Sequence, residues 1–331
     1  MRYLRNESTD PYFNMAFDEY ALEQLTLDEP IFYLWQNRPA VIIGVNQDVY
    51  AEVNLDYLRD NSIALVRRVT GGGAVYHDLG NLNYTIVGRS ADLNRDYPEY
   101  TQYMLHALQT LGVEAELSGR NDILVNGRKV SGYAKRVYKD RLMVHGSLMY
   151  DVNLSILENA LNPPAEKLKV KGVSSVRSRV DNLNKYLRDV ADITDFRIHL
   201  ERFLSRGYRD VEIRLSEKQL REISFVARTK FSTDEWNYRR LVEKKEGVPL
   251  IVRKARLACG MIEARLHVSD GIIVACHFGG DFIGGLLPSG LEDTLVGRRY
   301  EREVLWECLK EVDVQLYFDG LHPEDLLKLI C

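Results

Sequence analysis

Ile123-Leu124-Val125 and Arg128-Lys129-Val130 flank the dipeptide Asn126-Gly127, and this short segment restricts the folding of the 331-residue chain more tightly than anything else in it. Asn-Gly is the preferred pair for a type I′ turn, whose central residues both need positive φ and whose twist matches that of the strands it joins. A two-residue loop leaves one register. Val125 then faces Arg128, Leu124 faces Lys129, and Asp122 faces Ser131. Directly opposed residues point to the same side of a sheet. Asp122, Leu124, Lys129 and Ser131 are therefore expected on one face. A second hairpin should follow, turning near Lys139-Asp140 and returning through Leu142 to Tyr150.

The remaining elements read more loosely. Residues 10–25 have apolar positions at helical spacing, with Asp10 to cap the helix and Pro11 in its first turn. Short apolar runs at 31–35, 40–45 and 63–69, and Asn83 to Val87, read as strands; Tyr97 to Leu111 reads as a helix ending at Gly112. Residues 151–245 look mainly helical, broken at Asn162-Pro163-Pro164. Gly247-Val248-Pro249 marks a break. Antiparallel strands over 251–286 and short helices near 299–311 and 323–330 should follow it. The expected division is a large domain over 1–246 and a small C-terminal α+β domain over 247–331.

Composition mainly excludes. A formal net charge of −4 provides no global basic field for nucleic acid. No apolar run approaches the length of a membrane span, and the N-terminal residues have no signal-like apolar core, so the cytoplasm is the expected compartment. The four cysteines, Cys259, Cys276, Cys308 and Cys331, all lie late in the chain and form no CxxC pair. Buried free thiols are the plain reading, and a thiol nucleophile before residue 259 is excluded.

Chemistry concentrates at four places. Arg67-Arg68-Val69-Thr70-Gly71-Gly72-Gly73-Ala74-Val75-Tyr76-His77-Asp78 joins two arginines to a triple glycine. Glycines let backbone N–H groups approach an anion closely, and arginine matches planar anions. The segment is neither a Walker loop nor GxGxxG; alone, three glycines would mean only a loose hairpin loop. Lys129, in Lys129-Val130-Ser131-Gly132, would by itself be a solvated edge lysine, but small neighbours allow a ligand close to its ammonium. His145-Gly146-Ser147 is a strand histidine, often only structural. Ser174-Ser175-Val176-Arg177-Ser178-Arg179 is either a solvated basic loop or one that closes over a phosphate.

Taken together, these segments resemble the lipoate–protein ligase family. RRVTGGGAVYHDLGNLNYT (from Arg67), GRNDILVNGRKVSGYAKR (from Gly119), HGSLMY (from His145), VSSVRSRVDNL (from Val173) and FSTDEWNY (from Phe231) follow the family's order through about 240 residues. The resemblance implies an α/β (α+β) fold: a mixed sheet flanked by helices, like biotin–protein ligases and class II aminoacyl-tRNA synthetases, plus a small accessory domain. It implies ATP, Mg2+ and lipoate. Lipoyl-adenylate forms first; the lipoyl group then passes to a lysine of a lipoyl-acceptor domain, in 2-oxo-acid dehydrogenase complexes or glycine cleavage H protein.

By the same resemblance Lys129 is catalytic and touches both ATP and lipoate. Arg68, Gly73, Ala74, Val75, Tyr76, Asn121, Asp122, Arg177 and Arg179 would hold ATP or the adenylate, with Asp122 also toward magnesium. Trp35, Gly72, Val75, His77 and His145 would line the lipoate slot. Both reactants of the first step are negative, so positive charge and fixed donors are the chemical requirement. The rival readings are an ATP-independent octanoyl or lipoyl transferase, which the cysteine-free large domain disfavours in its thioester form, a non-catalytic adenylate or biotin sensor, and a degenerate ligase needing a partner for one step.

Overall fold

The computed structural model describes residues 1–90, 96–119, 121–162, 179–205, 212–239 and 247–331. The chain begins with β1 (Arg2–Leu4) and α1 (Pro11–Glu23). Asp10 caps α1 as expected, its side chain accepting from the Tyr12 N–H at 2.9 Å. The buried stripe of α1 contains Met15, Phe17, Ala21 and Leu22, but also Asn14 and Asp18. Buried polar groups of that kind need partners.

Next come β2 (Ile31–Trp35), β3 (Ala40–Ile43), β4 (Ala64–Arg67), β5 (Val75–His77), β6 (Asn81–Arg89) and α2 (Asp96–Thr110). The hairpin region supplies β7 (Ala115–Ser118), β8 (Asp122–Val125), β9 (Arg128–Tyr138) and β10 (Arg141–Met149). Helices α3 (Ile193–Leu204) and α4 (Glu217–Val226) fall where helix was expected, yet β11 (Glu212–Ile213) lies between them. That two-residue strand has no periodicity to betray it and exists by pairing with β1. The last part of the chain holds the meander β12 (Leu250–Leu257), β13 (Gly260–Ser269) and β14 (Ile272–Gly280), then α5 (Ser289–Leu295), α6 (Arg302–Lys310) and α7 (Pro323–Ile330). Its core, from Cys259 to Ile330, is drawn from those residues alone.

The main sheet has eight strands in the order β11-β1-β2-β6-β10-β9-β8-β7. It is mixed: β1 runs parallel to β11 and β2, and the other pairs are antiparallel. One face packs on α2 and α3, joining Phe32, Tyr84, Ile86 and Val144 to Met104, Leu108, Phe196 and Leu200. Ile31, Tyr33, Trp35, Val87 and Met143 point the other way, toward α1. A smaller sheet, β4-β3-β5, carries the glycine-rich segment between β4 and β5. Among the described residues no helix is long and apolar enough to cross a membrane.

The Asn126-Gly127 turn forms as expected, with φ of 51° and 72°. Leu124 faces Lys129 and Val125 faces Arg128, but a bulge then shifts the register. Ile123 faces Ser131, and Asp122 faces Gly132. The expected placement of Ser131 beside Lys129 is therefore corrected: Ser131 is fully buried on the opposite face. The cause is a parity conflict. Val130, Tyr133 and Val137 all belong to the core under α2, and even and odd positions of one strand reach the same face only if one extra residue intervenes.

Candidate active site

Strand register builds the floor of the site. One row across the sheet reads Trp35, Asn83, Ser147, Gly132, Asp122; the next reads Tyr33, Thr85, His145, Ala134. All nine share the face toward α1, and Lys129 joins them opposite Leu124. The Lys129 Nζ lies 2.7 Å from Asp122 Oδ1, with both side chains about a third exposed. Gly132 makes room for this pair. A Cβ there would stand 2.6 Å from Lys129 Nζ and 2.8 Å from its Cε. The bulge thus keeps Asp122 and Lys129 on one face, as expected, and puts Gly132 rather than Ser131 opposite Asp122, where the lysine can lie over it.

Neighbouring segments hold this corner in place. Asn121 accepts from the Tyr133 N–H at 3.0 Å and returns its side-chain amide to the Tyr133 carbonyl at 2.7 Å. Val180 bridges to Lys129, and the Asp181 N–H donates to the Lys129 carbonyl at 2.9 Å. Burial would raise the Asp181 pKa, but hydrogen bonds from Lys185, Tyr186 and the Asn182 N–H, with the Lys185 charge, bring it down to about 2. Arg179 therefore sits one residue from the strand that carries Lys129. Arg177 lies outside the described residues.

Behind the lysine runs a buried polar chain. Asp18 accepts from Tyr33 OH at 2.5 Å, Thr85 Oγ1 at 3.0 Å and His145 Nδ1 at 2.7 Å. That bond leaves His145 Nε2 to accept from Thr70 Oγ1 at 2.8 Å. Thr70 in turn accepts from Arg68 Nε at 2.9 Å, and Trp35 Nε1 donates to Thr85 at 3.0 Å. His77 stands edge-on to Trp35, ring centres 6.0 Å apart, and accepts from Asn37 Nδ2 at 3.2 Å. Burial, with Arg68 and His145 nearby, brings the His77 pKa down to about 3, so the ring is neutral at physiological pH. Trp35, His77 and His145 are thus brought together as a wall of rings suited to an apolar tail. Val75 packs on the same cluster, whereas the Tyr76 ring is buried among Val41, Met149 and Val152. Asp18 was missed from sequence; its one signal is an acidic residue between Phe17 and Ala21 on the apolar stripe of α1.

The two arginines give their donors largely to the protein's own backbone. Arg67 is fully buried and gives its donors to the carbonyls of Gly44, Val45, Gln47, Trp236 and Asn237. Arg68 is 6 % exposed and donates to the carbonyls of Ile42, Gly71 and Gly73 besides Thr70. Burial lowers both pKa values to about 10, still charged at neutral pH. Gly72, at φ +88°, donates its N–H to the Phe282 carbonyl at 2.8 Å. The C-terminal region also meets β9, through Val137 N–H to the Gly285 carbonyl at 2.7 Å and Lys135 to Asp319 at 2.8 Å.

Comparison with known proteins gives this arrangement a lineage. Residues 10–205 match the lipoyl protein ligase A/B catalytic domain, and residues 251–330 match the bacterial lipoate protein ligase C-terminus. The chain is 38% identical to lipoate-protein ligase LplJ of Bacillus subtilis over the full length of both. A crystal structure of a lipoate-protein ligase A bound with ATP matches at TM-score 0.61 and 31% identity, covering 72% of this chain and 98% of the other. A structure from the bi-partite lipoate protein ligase and E2 lipoyl domain system of Thermoplasma acidophilum matches at TM-score 0.64 and 31% identity, covering 74% and 98%. The chain belongs to the lipoate–protein ligase family and is a ligase enzyme.

Proposed function

We propose that this protein activates lipoate with ATP and transfers the lipoyl group to a lysine of a lipoyl-acceptor domain. The observation that carries the reading is the Lys129–Asp122 pair over Gly132, at one end of a row that begins at the Trp35 wall. An apolar tail against Trp35, His77 and His145 would direct the substrate carboxylate toward Lys129. Its oxygen attacks the α-phosphorus of ATP, a P–O bond to the departing pyrophosphate breaks, and lipoyl-adenylate remains. The Lys129 ammonium stabilises the charge shared between attacking and leaving oxygens. In the second step the acceptor amine attacks the mixed anhydride, AMP leaves, and one proton is released. Arg177 and Arg179 would cover the adenylate and slow its hydrolysis.

The relatives support the pieces separately: one is bound with ATP, and another belongs to a system that includes an E2 lipoyl domain. We take 2-oxo-acid dehydrogenase acceptors and glycine cleavage H protein as the partner class, and the cytoplasm as the place of reaction. Magnesium would arrive on the triphosphate. Among the described residues no group of three or more His, Cys, Asp or Glu side chains could hold a metal ion; the family resemblance makes Asp122 the candidate protein ligand. In this reading residues 1–246 carry the chemistry and residues 247–331 form an accessory domain that braces the glycine-rich loop through Phe282. A thioester transferase is disfavoured: Cys259, Cys276, Cys308 and Cys331 all lie after the strands that carry Trp35, Lys129 and His145. Lipoate-dependent exchange of labelled pyrophosphate into ATP tests the proposal. The folded protein should catalyse it, and a lack of exchange would remove the ligase reading.

A further inference from the structure

On the face that carries Lys129, the buried polar atoms of Asp18, Trp35, Thr85 and His145 all have protein partners. Asn83 breaks that pattern. It is 1 % exposed; its Oδ1 accepts from Asn81 Nδ2 at 2.7 Å, while its own Nδ2 meets no acceptor. Asn81 Oδ1 is likewise unmet. Turning both amides over would still leave one donor and one acceptor unpaired. A buried, unmet amide donor costs about 1–3 kcal/mol, so its retention calls for an acceptor that arrives with a ligand.

Position indicates which ligand. Asn83 lies between Trp35 and Ser147 in its row, and Ser147 is beside Gly132, over which the Lys129 ammonium lies. Two strand spacings, about 10 Å between backbones, separate Asn83 from Gly132. One carboxylate, accepting from the Asn83 amide at one end and from the Lys129 ammonium at the other, would span what the two side chains leave of that distance. Asn83 also marks the point where the ring wall gives way to polar groups. We propose that Asn83 is a specificity-determining residue for the acid substrate: its Nδ2 donates to one carboxylate oxygen while Lys129 meets the other. This rests on the ligase reading and adds to it a check on where the acid's head group must stop. An acid too short to place its carboxylate there, with its tail still against Trp35, loses one of the two donors.

Two variants in pyrophosphate exchange test it, with the melting temperature measured alongside. Asn83→Asp keeps the acceptor for Asn81 and replaces the donor by a second oxygen that carries negative charge; Asn83→Ala removes both without adding charge. The expected result is a rise of about tenfold or more in the KM for lipoate, largest in Asn83→Asp, with the KM for ATP within threefold of the wild type. If Asn83→Asp does not fold, Asn83→Ala decides. Unchanged lipoate KM in the variants, or a lower melting temperature as the only effect, would mean that the amide holds a structural water and would overturn the inference. No exchange by the wild type would instead strike the ligase reading beneath it.

Discussion

The two cationic regions of the site are built on opposite plans. Arg67 and Arg68, the more conspicuous pair in the sequence, are buried, and their guanidinium groups are spread over backbone carbonyls. Lys129, one lysine in a hairpin, is about a third exposed and meets a single carboxylate. A guanidinium presents a rigid fork of five donors and can tie several chain segments together; an ammonium on a flexible stem can exchange one partner for another. The arginines therefore give the glycine-rich loop its shape, and Lys129 keeps a charge available to reactants. Arg68 would act on the nucleotide chiefly through the loop it holds.

The sharpest way to break this contrast is to remove a scaffold cation. Arg68→Met strands the carbonyls of Ile42, Gly71 and Gly73 and the Thr70 hydroxyl. It should cost about 3 kcal/mol or more in denaturant-measured stability. A variant of wild-type stability with weaker ATP binding would show that Arg68 is a ligand residue after all. Gly132→Ala should do the reverse. The added Cβ crowds the far end of the Lys129 side chain and stands at ordinary contact distance, 3.8 Å, from the Asn121 carbonyl, so stability should change by about 1 kcal/mol or less. Displacing the ammonium should cut kcat for exchange by about 100-fold.

A smaller effect concerns pH. His77 is held neutral by burial, its pKa down to about 3, whereas an unfolded histidine titrates near 6.5. Below pH 6.5 the unfolded chain binds the proton and the folded chain does not, so this group's contribution to stability falls as pH drops from 6.5 toward 3. By pH 5 its share should be a loss of about 2 kcal/mol. His77→Gln should flatten the decline between pH 7 and pH 5 in urea titrations; an unaltered slope would place the acid sensitivity elsewhere.

What could be read in advance follows from which interactions are local. The Asn126-Gly127 turn, the Asp10 cap and the strand at 31–35 depend on neighbours in sequence and form as expected. The bulge at Val130 was written in the parity of Val130 against Tyr133 and Val137, but only knowledge that all three share one core makes it legible. Asp18 matters through a partner 127 residues away, and Asn83 through its place between Trp35 and Ser147, both set only once α1 and the sheet are assembled. The C-terminal region is seated by backbone atoms of Phe282 and Gly285, which carry no side-chain signature, and by the Lys135–Asp319 pair, whose members are 184 residues apart. Motif order linked the segments of His77, Lys129 and His145; it could not show that Arg68 donates to the carbonyls of Ile42, Gly71 and Gly73.

The most direct test of the contrast is lipoate-dependent pyrophosphate exchange by Lys129→Ala at saturating ATP and lipoate, with its melting temperature beside that of the wild type. The expected result is a fall in exchange of about 1,000-fold or more, with melting within a few degrees, because a lysine about a third exposed and paired with one carboxylate contributes little to the fold. Exchange within tenfold of the wild type by a folded Lys129→Ala protein would contradict it.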